Sequence, residues 1–191
     1  MFKKFQSLLS ENFLFLKDKK LLLATSGGID SMVMVDLFHK LHYKIAIAHC
    51  NFQLRDVESF EDEKFVVDFA HKHNIPIYTT KFDTQAFAND YKLSIQLAAR
   101  ELRYHWFDEL LEDENYDYIL TAHHTDDNLE TFLINLSRGT GLEGLTGIPE
   151  QNDQVIRPLL HFSRIEIEAY AQDNKIEWRE DSSNASDKYL R

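Results

Sequence analysis

Apolar and charged positions recur at helical spacing from Phe2 to Leu16. The pattern then tightens into Lys20-Leu21-Leu22-Leu23-Ala24-Thr25, an apolar run that predicts a strand buried on both faces. Asp30 to Leu41 returns to helical spacing, with Met32, Val35, Leu37 and Phe38 among polar neighbours. Lys44 to His49 reads as a second strand, Cys50 to Val57 as a polar loop, and the charged stretch carrying Phe60, Phe65, Val66 and Phe69 as a helix. Ile75 to Thr80 is a third strand. A long helix follows from Ser94 to Glu112, its buried stripe formed by Ile95, Leu97, Ala98, Leu102, Trp106 and Leu110. Asp117 to Ala122 is a fourth strand, Asp126 to Arg138 a helix, Gly139 to Pro149 a glycine-rich loop and Gln154 to Leu160 an extended segment. A last helix over Ser163 to Asn174 precedes Ile176-Glu177-Trp178. Alternating strands and helices predict an α/β fold, a parallel twisted sheet with helices on both faces. No repeat, low-complexity tract or linker interrupts it.

With 191 residues, 43% of them hydrophobic, the chain can bury the core of one domain. No run approaches the roughly 20 apolar residues of a membrane span, and the charged, amphipathic N-terminus does not resemble a signal peptide. Cys50 is the single cysteine, which excludes an internal disulfide and a CxxC pair and favours a cytoplasmic protein. The formal net charge of -11 is opposite to the field that holds a protein on nucleic acid. A nucleic-acid partner would therefore be gripped locally or by another part of the protein, and the acidity also serves solubility.

All six glycines fall in two places, Gly27-Gly28 and the loop holding Gly139, Gly141, Gly144 and Gly147. At the first, residues without Cβ let the backbone approach a ligand, and the helix that follows aims unpaired N–H groups and its positive end at that point. The segment Ser26-Gly27-Gly28-Ile29-Asp30-Ser31 is thus an anion site, with hydroxyl donors at Ser26 and Ser31. Asp30 would repel phosphate directly and suits a magnesium ion bridging carboxylate and phosphates. No lysine follows, so this is neither GxxxxGK[ST] nor GxGxxG. The plainer alternative is a tight turn with Asp30 and Ser31 as helix-start residues.

The second constellation, His123-His124-Thr125-Asp126-Asp127-Asn128-Leu129-Glu130-Thr131, follows the fourth strand, where open parallel sheets bind ligands. Asp127 and Glu130 lie three apart on one helix face and can jointly hold a metal or an amine. His123 and His124 can transfer protons or contact phosphate near neutral pH. Alternatively, Asp126 caps the helix and its acids suit the positive helix end.

SGGIDS after a buried strand resembles the PP-loop of the N-type ATP pyrophosphatases, which cleave ATP between its α and β phosphates. Five segments together resemble the tRNA(Ile)-lysidine synthases from about Leu21 to Arg191: His49 to Arg55, Ala99-Arg100-Glu101-Leu102-Arg103-Tyr104, Ala122 to Thr131, Ser137 to Leu145, and Glu180-Asp181-Ser182-Ser183-Asn184. The resemblance implies a Rossmann-like, adenine nucleotide α-hydrolase-like fold. It also implies a carbon–nitrogen ligase that adenylates the C2 oxygen of the wobble cytidine of an isoleucine tRNA with a CAU anticodon. Free L-lysine then displaces AMP. ATP and Mg2+ are the implied co-substrate and ion, and a homodimer is compatible with the resemblance.

Carried onto this chain, Ser26 to Ser31 bind ATP, Asp30 also serves magnesium, and Asp127 and Glu130 hold lysine or metal. Arg100 and Arg103 contact the α-phosphate or the cytidine, or else pair with acids such as Glu101 in solvent. The His49 backbone reads the adenine edge, and Asn51 and Arg55 face substrate, with a plain surface loop as the alternative. Arg138 and the loop from Gly139 to Gly147 close over ATP or the anticodon. The chain departs from the family at Phe52 and Gln53, where many members carry histidine and glycine. It also stops at Arg191, where the family continues into helical and C-terminal tRNA-binding domains. The expectation is therefore one catalytic domain over residues 1–191, without those domains. The rivals are another PP-loop enzyme, either a tRNA thiolase or an amide-forming synthetase, and a non-catalytic nucleotide-binding domain. One cysteine cannot supply a thiolase's paired cysteines, and no glutaminase segment supplies ammonia.

Overall fold

Leu21, Leu22 and Leu23 are fully buried because they form the centre of the sheet, β1 (Lys20–Ala24). β1 pairs in parallel with β2 (Lys44–Asn51) on one side and β4 (Tyr118–Leu120) on the other. β2 continues in parallel to β3 (Ile77–Lys81), and β4 to β6 (Val155–Ile156). β5 (Gln151–Asn152) closes the order β3-β2-β1-β4-β6-β5 as an antiparallel hairpin partner of β6, and the other pairings are parallel, as expected. The computed structural model describes residues 1–139 and 146–180.

The helices are α1 (Phe2–Asn12), α2 (Ile29–Lys40), α3 (Asp56–Lys72), α4 (Thr84–Tyr91), α5 (Ile95–Asp113), α6 (Thr125–Ser137) and α7 (Arg164–Asp173). Two apolar clusters flank the sheet. Leu21 and Leu23 join residues of α1, α2, α3 and α7, whereas Leu22, Ala46 and Ala48 meet Phe107, Leu110 and Leu111 of α5. Alternating strand residues thus feed opposite layers, as the pleat requires.

The first predicted helix stops at Asn12, and Leu14–Leu16 form a 3-10 turn instead. The extended segment from Gln154 ends at Ile156. Pro158 lacks the N–H that a ladder needs, and the chain turns there. α4 was not legible, because eight residues carry too little periodicity. Its start is marked only by Asp83, whose carboxylate accepts from the Ala86 N–H at 2.9 Å. α6 buries none of its residues, and it exposes Leu129, Leu133, Ile134 and Leu136.

Candidate functional site

The chain winds one way from β1 through β2 to β3 and the other way from β4 to β6, so the sheet reverses between β1 and β4. Ligands of open α/β sheets settle beyond the strand ends at such a point. A cavity of about 230 Å³ opens there. Ser26, Asp30 and Ser31 line it from the first turn, and Thr121, His123 and Asp127 line it from beyond β4. Cys50 near the end of β2 and Phe52 just after it line it as well, and Arg103 reaches it from α5.

The first turn is held by its own hydroxyls. Ser31 Oγ donates to the Gly28 carbonyl at 2.8 Å and accepts from the Gly27 N–H at 3.3 Å, and the Gly28 N–H donates to Ser26 Oγ at 3.3 Å. Gly27 has φ 97, and a Cβ built there would lie 3.2 Å from Val66 Cγ2. Beneath the turn, His49 Nδ1 donates to the Thr25 carbonyl at 2.8 Å. From outside, the Arg179 N–H donates to the Gly27 carbonyl at 2.9 Å. No side chain caps the start of α2, which leaves its first amides to an anion.

Three helix starts converge on Asp30. Its Oδ2 accepts from Arg164 Nη1 of α7 at 2.6 Å, while Oδ1 lies 3.7 Å from His124 Nε2 and is buried without a hydrogen-bond partner. Burial pushes the Asp30 carboxyl up, against the opposing pull of Arg164 and His124, and Asp127 adds to the rise. Asp127 Oδ2 accepts from the His124 N–H at 2.9 Å. The Arg164 N–H donates to Asp126 at 2.8 Å, and its Nε donates to Glu168 at 2.8 Å. His123 Nδ1 lies 2.9 Å from Thr121 Oγ1. Burial holds the His123 ring below the usual histidine range against the pull of Asp127, and Arg157, Arg103 and Arg100 push the same way as burial. The Cys50 thiol is pushed up to about 12 by burial, which makes it a poor nucleophile.

The structure thus brings Ser26, Asp30, Ser31, Arg103, His123 and Asp127 to one cavity, with Gly27, Gly28 and Ile29 forming its turn. The other expected residues do not line that cavity. The Asn51 side chain turns inward, donating to Glu63 Oε2 at 2.7 Å and the Ser59 carbonyl at 3.2 Å. Arg55 pairs with Asp62 at 3.3 Å and Glu58 at 3.7 Å. The His49 ring bonds the Thr25 carbonyl, apart from the backbone contact expected of this residue, and Arg100 lies over Tyr104 at 4.8 Å. Glu130, Arg138 and Gly139 are exposed, and none of the three is in the cavity wall. Thr140 to Leu145 and Asp181 to Asn184 lie outside the described residues. At the far end of the glycine loop, the Ile148 N–H donates to Asn128 Oδ1 at 2.6 Å.

Sequence reasoning missed Arg164 and the buried Arg157, whose Nη1 donates to the Pro149 carbonyl at 2.9 Å. Ser163 and Glu166 form a capping box that marks the start of α7, but no local signal points Arg164 at a partner 134 residues away.

His49 and His123 are both held below the ordinary histidine value of about 6.5 chiefly by burial, so the unfolded chain binds their protons first as pH falls. Their contribution to stability is present above about pH 6.5 and is lost as pH drops. The thermal midpoint should fall from pH 7.5 to pH 5.5, and His49→Gln should give a shallower slope. An equal slope would remove His49 from this account.

An uncapped helix start facing carboxylates at the reversal of a parallel sheet has the form of a nucleotide-type α/β site. A PP-loop domain model matches residues 1–191, and the chain belongs to that family. It is 46% identical over 175 residues to a tRNA(Ile)-lysidine synthase of Porphyromonas gingivalis strain W83, covering 91% of this chain and 38% of that protein. The corresponding enzyme of Bacteroides thetaiotaomicron is 44% identical, over 96% of this chain and 43% of that protein. That of Chlorobaculum tepidum is 42% identical, over 99% and 58%. The chain therefore spans less than two thirds of the length of each of these relatives. Among solved structures, the U34-tRNA thiolase NcsA of Methanococcus maripaludis superposes with a TM-score of 0.76 at 17% identity, covering 94% of this chain and 65% of that one. The NH3-dependent NAD synthetase of Campylobacter jejuni gives 0.62 at 16%, covering 92% and 72%. These two likenesses concern the fold. No helix among the described residues is long and apolar enough to cross a membrane.

Proposed function

We propose that residues 1–191 form the PP-loop catalytic domain of a tRNA(Ile)-lysidine synthase, which adenylates the wobble cytidine of an isoleucine tRNA with a CAU anticodon and joins free L-lysine to C2. The observation that carries this reading is the convergence of the uncapped α2 start, Asp30, Asp127 and Arg103 on one cavity at the sheet reversal. Similarity to the lysidine synthases supports the choice of substrate over those of the thiolase and amide-forming rivals.

The turn from Ser26 to Ser31 would seat the ATP phosphates against the α2 amides. Arg103 would meet the negative charge that builds on the α-phosphate as the cytidine C2 oxygen attacks and pyrophosphate leaves. The neutral His123 ring at the cavity wall would orient phosphate or exchange a proton. Lysine must lose a proton before its amine attacks C2 and AMP departs, and Asp127, with Glu130 on the exposed face of α6, is the carboxylate set assigned to it.

The residues fit magnesium. Asp30 Oδ1 is a buried carboxylate oxygen without a partner, and Asp127 lines the same cavity. Among the described residues, no group of three or more His, Cys, Asp or Glu forms a cage of its own. An ion that keeps waters and takes phosphate oxygens suits such a site. Magnesium, when bound, would offset charge on the phosphates. The reading also takes the protein to be cytoplasmic and is compatible with a homodimer.

The test is pyrophosphate release by the protein in its full natural length, with ATP, magnesium and a tRNA transcript carrying the CAU anticodon. Release should depend on the transcript and stop when the wobble cytidine is replaced by uridine. Release indifferent to that base would contradict the reading.

A further inference from the structure

Phe52 lines the cavity, and a column of rings backs it. Phe52 and Phe82 follow the ends of the paired strands β2 and β3, and their rings stack at 5.7 Å and 29°. Phe82 meets Trp106 of α5 edge-on at 6.5 Å and 81°. Arg103, about one turn before Trp106 on the same helix, places its guanidinium carbon 5.1 Å from the centre of the Phe52 ring. α5 therefore supplies both ends of a column whose middle comes from two strand loops.

The backbone that carries Phe52 is fixed from several directions. Thr84 Oγ1 donates to the Phe52 carbonyl at 2.8 Å, and the Gln53 N–H donates to Asn51 Oδ1 at 3.0 Å. The Phe82 N–H donates to the Asn51 carbonyl at 2.9 Å. Asn51 is itself held by Glu63 and Ser59. These bonds hold the backbone on either side of Phe52, and stacking on Phe82 holds its ring. Both Phe52 and Arg103 line the cavity.

A free arginine side chain carries about 2 kcal/mol of rotamer entropy, which binding an anion would have to overcome. Stacking restrains the guanidinium through its face and leaves the N–H donors of its edge for a ligand. Among the described residues Arg103 has no carboxylate partner, so its ring contact with Phe52 is what holds it. We propose that Phe52 is a positioning residue: its ring fixes the plane of the Arg103 guanidinium in the cavity wall, so that the N–H edge meets the charge developing on the α-phosphate. The inference rests on the adenylation reading above. It gives a role to a phenylalanine that stands half-buried in the cavity wall beside Arg103.

The test has two arms. The first needs no substrate. The Arg103 Nε–H resonance, assigned through its loss in Arg103→Lys, should lie upfield in the wild-type protein under the ring current of Phe52. It should move back in Phe52→Leu and stay in Phe52→Tyr. An unchanged resonance in Phe52→Leu would overturn the proposal. The second arm is single-turnover pyrophosphate release. Phe52→Leu should slow it about fivefold to tenfold, the equivalent of a partly desolvated cation–ring contact, with the KM for ATP within about twofold and the thermal midpoint nearly unchanged. Phe52→Tyr should restore the rate, and the double variant Phe52→Leu/Arg103→Lys should be no slower than Arg103→Lys alone. Wild-type rates in Phe52→Leu, or additive losses in the double variant, would refute the positioning role. No release by the wild-type protein would instead refute the adenylation reading, and the resonance arm would still decide whether the ring holds the guanidinium.

Discussion

Asp30→Asn is expected to lower tRNA-dependent pyrophosphate release by at least about a hundredfold while the protein stays folded, the scale seen when one preorganised charge-stabilising group is lost. Asparagine keeps the volume and one carbonyl oxygen but removes the charge that would hold a cation beside the phosphates. The effect on folding should be small because two changes oppose each other. Arg164 loses its 2.6 Å partner yet keeps Glu168 at 2.8 Å, and the cost of burying the ionised carboxylate disappears. Pyrophosphate release read beside a thermal melt separates the two effects. A variant with wild-type turnover would remove Asp30 from the mechanism.

Gly27→Ala should damage both the fold and ATP binding. At φ 97 any L side chain is strained, at a cost of about 1–3 kcal/mol. The added methyl would also press on Val66 Cγ2, which belongs to the core and cannot withdraw freely. In a domain of this size, about 2 kcal/mol corresponds to a fall of about 4–8 °C in the thermal midpoint. The turn can relieve the strain only by moving the peptide that Ser31 and Arg179 hold, so ATP affinity should fall at least about tenfold. Gly28→Ala is the control. Its φ of -72 is ordinary, and its Cβ would meet only Ser26 Oγ at 3.4 Å, so its thermal midpoint should stay near wild type. Equal losses in the two variants would show that Gly27 is not special.

The central strand and the turn were legible because each is local: three leucines that leave no polar face, then two glycines before a helix start. Contacts that depend on pairing across the fold were not. Asn51 reads as part of a polar loop, but it is the last residue of β2, and its alternate position points the amide at α3. Asp127 and Glu130 share helical spacing, yet the start of α6 puts Asp127 in the cavity and leaves Glu130 in solvent. Arg164 became visible only when α7 packed beside α2 and set its guanidinium on Asp30. The antiparallel β5 escaped because two exposed residues, Gln151 and Asn152, carry no alternation to read.

The claim that this PP-loop cavity joins lysine to a tRNA cytidine is tested most directly by radiolabelled lysine. The protein in its full natural length is incubated with ATP, magnesium and an isoleucine tRNA transcript bearing the CAU anticodon, and the tRNA is then isolated. The account predicts ATP-dependent label in that tRNA, released on digestion as a modified cytidine, and none in a transcript with uridine at the wobble position. Unlabelled tRNA despite ATP consumption, or incorporation of sulfur or ammonia in place of lysine, would contradict it.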